Sequence, residues 1–220
     1  MFLGVLYMSK FSGDSAIIIL AGGQSKRMGT PKSNLPIGEE TILQHMLRSL
    51  RPLLDTVVVV CASQDKHPAD VEEVIWAYDS VGGQGPLHGL QAGLMALPPQ
   101  VTQTFVSSCD APLMRPELVS WLSDDFVVGQ ALVPQISGFP QPLAAVYATS
   151  ILSIVTEMLE NGQRSLRALL NRVDTRWVSE NSVREIDPQL LSFENINTPE
   201  DYQRVSALFE SLSRDVKTQT

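Results

Sequence analysis

A three-layer α/β fold, with a mostly parallel twisted sheet flanked by helices, is predicted by three features of the chain. Short apolar runs alternate with helically spaced apolar residues along nearly its whole length. Residues 57–60 are four consecutive valines, the pattern of a strand buried on both faces of a parallel sheet. The run Ala16-Ile17-Ile18-Ile19-Leu20 feeds straight into a glycine-rich loop, and ligands of open parallel sheets sit beyond the carboxyl ends of such strands.

The elements run in this order. Residues 16–20 form a first strand. A helix over 40–50 comes next, from Ile42, Leu43, Met46, Leu47 and Leu50, with a cap at or just before Thr41 and Pro52 after its end. Residues 57–60 and 74–78 are strands. Leu87, Leu90, Leu94 and Leu97 mark a helix over 86–97, with Pro86 at its first position. A strand over 103–107 precedes a helix over 115–126, whose apolar side carries Leu118, Val119 and Leu122. Residues 131–134 and 143–147 are strands, 151–159 and 165–170 helices, 175–178 a last strand and 199–212 a last helix. This organisation gives one domain over 15–212, a flexible lead-in over 1–14 that is polar from Ser9, with Met8 as an alternative start, and a flexible, frayed tail over 213–220.

Composition excludes several classes. The 220 residues are enough to bury roughly 70% of the unfolded surface. A formal net charge of −8 argues against non-specific nucleic-acid binding, which needs a basic face. No apolar run reaches the ~18 residues of a membrane span, and the apolar start lacks the basic flank of a secretory signal. Cys61 and Cys109 each come after a strand-like run. They are expected to be buried and reduced, as in a cytoplasmic protein.

Against that acidic background the loop reverses the sign of charge. Residues 15–38 hold Lys26, Arg27 and Lys32 and no acid. Glycines at 22, 23 and 29 let backbone amides approach a ligand, and a concave row of amides binds anions. The segment therefore reads as a polyphosphate site. It is not a Walker loop, because Pro31 before Lys32-Ser33 has no N–H to donate. Its glycine spacing also misses the dinucleotide fingerprint.

Polyphosphate chemistry commonly needs Mg²⁺, held by one or two carboxylates and substrate oxygens. Asp110, at the end of the strand over 103–107, is the candidate ligand. Asp79 ends another strand and leads into the glycine-rich stretch 82–89, which can fold over a flat base. In Asn195-Ile196-Asn197-Thr198-Pro199-Glu200-Asp201, alternation puts both asparagines on one side of an extended segment. Thr198 then caps a helix with Pro199 at its first position. A phosphate monoester is already largely ionised at pH 7, so no general base is required and His45, His67 and His88 read as structural.

Four motifs in this order resemble the molybdenum cofactor guanylyltransferases, the MobA-like branch of the nucleotidyltransferases. They are Leu20-Ala21-Gly22-Gly23 with Arg27-Met28-Gly29 and Lys32; Gly85-Pro86-Leu87-His88-Gly89; Cys109-Asp110-Ala111-Pro112; and Asn195-Ile196-Asn197-Thr198-Pro199. The resemblance implies a Rossmann-like nucleotidyltransferase fold and transfer of GMP from GTP to the terminal phosphate of molybdopterin, with loss of pyrophosphate. It implies nucleotide contacts from Leu20, Ala21, Gly22, Gly23, Lys32, Asp79, Gly85, Pro86, Leu87 and Asp110. Arg27, Lys32 and Asp110 would carry the reaction, Asp110 and Asn197 would hold Mg²⁺, and Gln141, Pro142 and Asn195 would face the second substrate, as would the Arg164-Ser165-Leu166 segment. Other cofactor-biosynthesis or acceptor proteins are the implied partners, with no nucleic acid and no membrane.

Cys61 stands where such relatives often have Asn, which puts a nucleotide contact through its side chain in doubt. Gly22 resembles the guanylyl branch, since cytidylyl relatives usually have Ala there. A cytidylyltransferase of the same fold, acting on molybdopterin or on a sugar-like or isoprenoid-precursor phosphate, is the alternative. A non-catalytic nucleotide-binding module is a further one.

Overall fold

The computed structural model describes residues 14–22, 30–54, 56–62, 71, 73–79, 85–127 and 129–218, with side chains to residue 214. Gly23, Arg27 and His67, singled out by sequence, lie outside the described residues.

Ten strands are found among the described residues: β1 (Ser15–Leu20), β2 (Pro36–Ile37), β3 (Glu40–Thr41), β4 (Thr56–Cys61), β5 (Ile75–Tyr78), β6 (Gln103–Ser108), β7 (Ala131–Ile136), β8 (Phe139–Pro140), β9 (Ala145–Ala148) and β10 (Thr175–Val178). The helices are α1 (Ile42–Leu50), α2 (Pro86–Met95), α3 (Pro116–Asp125), α4 (Leu152–Glu160), α5 (Leu166–Leu170), α6 (Glu180–Ile186) and α7 (Pro199–Thr218). The main sheet runs β10-β7-β9-β6-β1-β4-β5, with β8 on β7, and β2 pairs with β3 alone. Only β9, against β6 and β7, and β8 run antiparallel in the main sheet.

Period-2 alternation separates two cores. Ile17, Ile19, Val57, Val59 and Phe105 face α1, α3, α6 and α7. Ile18, Leu20, Val58, Val60 and Val106 face α2, α4 and α5. Every residue of β1 is buried, which is why this strand alternates no polar residues. The helix caps reflect local chemistry. Thr41 Oγ1 accepts from the Gln44 amide while the Gln44 side chain accepts from the Thr41 amide. Thr198 and Asp201 make the reciprocal pair at α7.

Four differences from the sequence reading have simple causes. The hairpin β2–β3 and strand β8 are two residues each, too short to show a period. Helix α6 buries only Val183, so it carries no apolar stripe. The strand expected over 143–147 starts at Ala145, and Leu143 before it faces a cavity instead. Finally, α7 continues past the expected end at Leu212, to Thr218.

Candidate functional site

From β1 the chain moves outward to β4 and β5, then returns to lay β6 on the other side of β1. Strand order therefore reverses between β1 and β6, and a crevice opens at their carboxyl ends. Ladder bonds run past the strand ends into that crevice. The Ala21 amide donates to the Val60 carbonyl (2.8 Å), that of Asp79 to Cys61 (2.9 Å) and that of Cys109 to Leu20 (3.1 Å). The residues just beyond each strand are thus held as the strands are. They line a cavity of about 420 Å³ together with Gly22, Lys32, Asp110 and the first turn of α2.

Gly85 caps α2 with φ 111°, a conformation that strains any side-chain-bearing residue. Pro86 then begins the helix, and its first turn holds no acid, so the amide-rich end of α2 meets the cavity with its partial positive charge intact. Pro86 and Gly89, one helical turn apart, reach the wall. Leu87 does not. Its side chain turns inward and is fully buried under α2, so a nucleotide contact at this position would be made through its backbone.

Gly22 has a steric reason of its own. A Cβ there would stand 2.9 Å from the Ala62 nitrogen, so the end of β4 requires glycine whatever base is bound. Cys61 is 3% exposed and packs in the core below. Burial pushes its thiol up to about 11, and pushes that of Cys109 up further, so both are neutral thiols at physiological pH. Position 61 meets the site through its carbonyl, which holds Asp79, and through its close approach to Gly22. The Ala21 amide, committed to Val60, is likewise unable to donate to a phosphate.

Lys32 and Asp110 face one another across the cavity floor, with Lys32 Nζ 2.9 Å from Asp110 Oδ1. The same ammonium donates to Asn197 Oδ1 at 3.4 Å. Three distant segments meet here because their backbones are tied. The Ile196 amide donates to the Asp110 carbonyl (2.8 Å). Asp201 Oδ2 accepts from the amides of Asn197 and Thr198, which lowers its carboxyl below the usual range, Asn197 being the larger cause. Tyr202 Oη donates to the Pro36 carbonyl, joining α7 to the segment after Lys32.

A smaller cavity of about 150 Å³ adjoins the first and shares Ser108, Asp110 and Leu143 with it. Gln141, Pro142 and Asn195 line it, with Ser192 and Phe193 opposite. Ser108 is the last residue of β6, and the turn that follows it brings Asp110 to the same two cavities. Ser192 and Phe193 belong to a 3₁₀ turn without periodicity. That turn is held by Asp187, which is 0% exposed and accepts from the amides of Leu191 (3.1 Å) and Ser192 (2.8 Å). An Asn at 187 keeps one acceptor and turns an N–H toward the other amide. Asp187→Asn is therefore expected to cost about 2 kcal/mol. Calorimetry should read that as a Tm lower by roughly 4–8 °C.

Asp110 and Asn197 offer the hard oxygens Mg²⁺ takes, and they already converge on one cation, the lysine ammonium. Among the described residues no group of three or more His, Cys, Asp or Glu could hold a metal, so a metal held here would need oxygens from a substrate as well. His88 lines a different cavity, on the outer side of α2. His45 packs edge-on against Phe209, and burial holds its pKa below the ordinary value, with the neighbouring Arg48 adding to the effect. Arg164 lies beside Gly85, its Cβ 3.9 Å from where a Cβ on that glycine would stand.

A family model described as the MobA-like NTP transferase domain matches residues 17–177. A probable molybdenum cofactor guanylyltransferase of Methanosarcina mazei is 32% identical over 201 residues, 86% of this chain and 88% of the relative. A molybdenum cofactor guanylyltransferase of Desulfosudis oleivorans is 29% identical, over 88% of this chain and 95% of the relative. Among solved structures, the molybdopterin-guanine dinucleotide biosynthesis protein A of Archaeoglobus fulgidus superposes with a TM-score of 0.77 at 27% identity, covering 89% of this chain and 99% of that one. The 2-C-methyl-D-erythritol 4-phosphate cytidylyltransferase of Thermus thermophilus, at 18% identity, 89% and 98% coverage and a TM-score of 0.68, shares the fold.

Proposed function

The chain belongs to the MobA-like NTP transferase family, and from that membership we propose that this nucleotidyltransferase moves GMP from GTP to the terminal phosphate of molybdopterin, or of its metal-loaded form. One observation carries the reading. Two cavities share a wall at Asp110, one large and bordered by Lys32 and the first turn of α2, the other small and lined by Gln141, Pro142 and Asn195. A donor nucleotide in the first and an acceptor phosphate in the second would meet at that carboxylate. The relatives' names support a guanylyl transfer to the molybdenum cofactor, and that of the Archaeoglobus fulgidus structure names molybdopterin.

The bond that forms joins an acceptor phosphate oxygen to the α-phosphorus, and the bond that breaks releases pyrophosphate. Such transfer needs positioning and charge stabilisation more than covalent help from the protein. Lys32 and the amide end of α2 stabilise negative charge on the departing pyrophosphate. Arg27, in the same loop by sequence, would add to this. Asp79, and by sequence the glycine-rich stretch that follows it, would hold the nucleoside. Gln141, Asn195 and the turn at Ser192 orient the acceptor, which arrives already ionised. Asp110 and Asn197 would hold Mg²⁺, whose charge, when bound, offsets the repulsion between two polyanions. Both cysteines are free thiols, in keeping with a cytoplasmic setting. No helix of the described residues is long and apolar enough to cross a membrane.

Thermal unfolding with each of the four common nucleoside triphosphates and Mg²⁺ tests the donor. At 100 times its Kd a ligand adds about 2.7 kcal/mol. GTP is expected to raise Tm by roughly 5–10 °C and more than the others. A larger shift with CTP would replace guanine by cytosine, and no shift with any triphosphate would remove the nucleotidyltransfer reading. Pyrophosphate release that requires both GTP and added molybdopterin then tests the acceptor.

A further inference from the structure

Two cations have a claim on the same oxygens. The Lys32 ammonium sits 2.9 Å from Asp110 Oδ1 and 3.4 Å from Asn197 Oδ1, and these are the donors the site offers a divalent metal. An ammonium and a dication cannot both occupy that position, because like charges at contact distance repel strongly outside bulk water. The oxygens are the fixed partners. The Asp110 carbonyl accepts from the Ile196 amide, and the Asn197 amide donates to Asp201 Oδ2, so withdrawing either segment breaks a hydrogen bond of its backbone. Lysine is the mobile one, a point charge on a flexible four-carbon stem. Its side chain is only 15% exposed while that of Asp110 is 42% exposed, and both border the larger cavity.

A single carboxylate and a single amide are too few for Mg²⁺, which keeps its water unless several oxygens replace it. Among the described residues no group of three or more His, Cys, Asp or Glu completes a cage. The missing oxygens must come with the nucleotide, and the phosphates that bring them are also the anions that would draw the ammonium away.

We propose that Lys32 is a resident counter-cation for the metal position. It holds Asp110 and Asn197 together while the site is empty, keeps a divalent ion off them, and moves to the phosphates when a metal–nucleotide complex arrives. Metal therefore enters with the nucleotide and not before it. This rests on reading the site as one for a metal–nucleotide complex, but not on which base is bound. By linkage, the nucleotide raises metal affinity by the same factor as metal raises nucleotide affinity.

Mn²⁺ titration monitored by electron paramagnetic resonance tests this on the full chain without nucleotide. Lys32→Gln is expected to bind Mn²⁺ at least about tenfold more tightly than the natural protein, because it removes the competing charge and leaves Asp110 in place. Lys32→Arg, which retains the charge, should stay within about twofold of the natural protein. Adding Asp110→Asn to Lys32→Gln should abolish the gain. With GTP present, the natural protein should bind Mn²⁺ at least about tenfold more tightly than without it. Equal Mn²⁺ affinity of the natural protein and Lys32→Gln would overturn the proposal, and so would Mn²⁺ binding by the natural protein that is unaffected by GTP, ATP, CTP or UTP. Coupling to CTP in place of GTP would correct the base and leave the counter-cation role standing.

Discussion

Asp110→Asn should cut turnover by at least ~10² and leave the fold intact, the order lost with one key electrostatic group. The side chain is nearly isosteric and the native carboxylate is 42% exposed, so the substitution buries no new polar group. Its backbone contacts are unchanged, since the Asp110 carbonyl, not the carboxylate, receives the Ile196 amide. The change removes the negative charge that the two cavities share. A dication would lose the carboxylate that Lys32 and Asn197 now surround. Lys32 would lose its ion-pair partner while keeping the Asn197 amide oxygen. Steady-state pyrophosphate release with GTP and molybdopterin, alongside calorimetric Tm, checks both halves. Activity within about threefold of the natural protein would remove Asp110 from the reaction, and a large fall in Tm would mean that the loss was structural.

Much of this site was legible because its residues stand where strands end. Leu20, Asp79 and Asp110 lie at or just after the ends of apolar runs, and parallel pairing brings such ends to one edge of the sheet. Asn195 and Asn197 flank Ile196, which is fully buried, so alternation alone turns both toward the site. Other features were hidden for reasons equally physical. Leu87 sits inside a motif beside Pro86, but helical rotation, not sequence adjacency, decides which of the two meets the cavity. Gly22 invited an argument about the base, yet the close approach of Ala62 explains it without one. Asp187 reads as an ordinary polar residue after a short helix. Its role emerges only when Leu191 and Ser192 fold back onto it. The antiparallel insertion of β9 between β6 and β7 also leaves no mark in apolar periodicity, because strand direction is set by the path of the connections.

Lys32→Ala carries the most discriminating expectation, because its effects on two ligands have opposite signs. Loss of a charge-assisted contact to phosphate costs about 2 kcal/mol, so GTP affinity measured by calorimetry with Mg²⁺ should fall by roughly 30-fold. Turnover should fall further, by ~10² or more, since charge accumulates on the departing pyrophosphate as the bond breaks. Nucleotide-free Mn²⁺ affinity should rise, as in Lys32→Gln, because Asp110 and Asn197 lose the cation that competes for them. General damage to the fold would weaken both ligands together. A role confined to phosphate binding would weaken GTP and leave Mn²⁺ untouched, and a purely structural ion pair would lower Tm with GTP affinity little changed. Only a lysine that serves the carboxylate when the site is empty and the phosphates when it is filled moves the two affinities apart. Unchanged GTP affinity in this variant would take Lys32 out of the nucleotide site altogether.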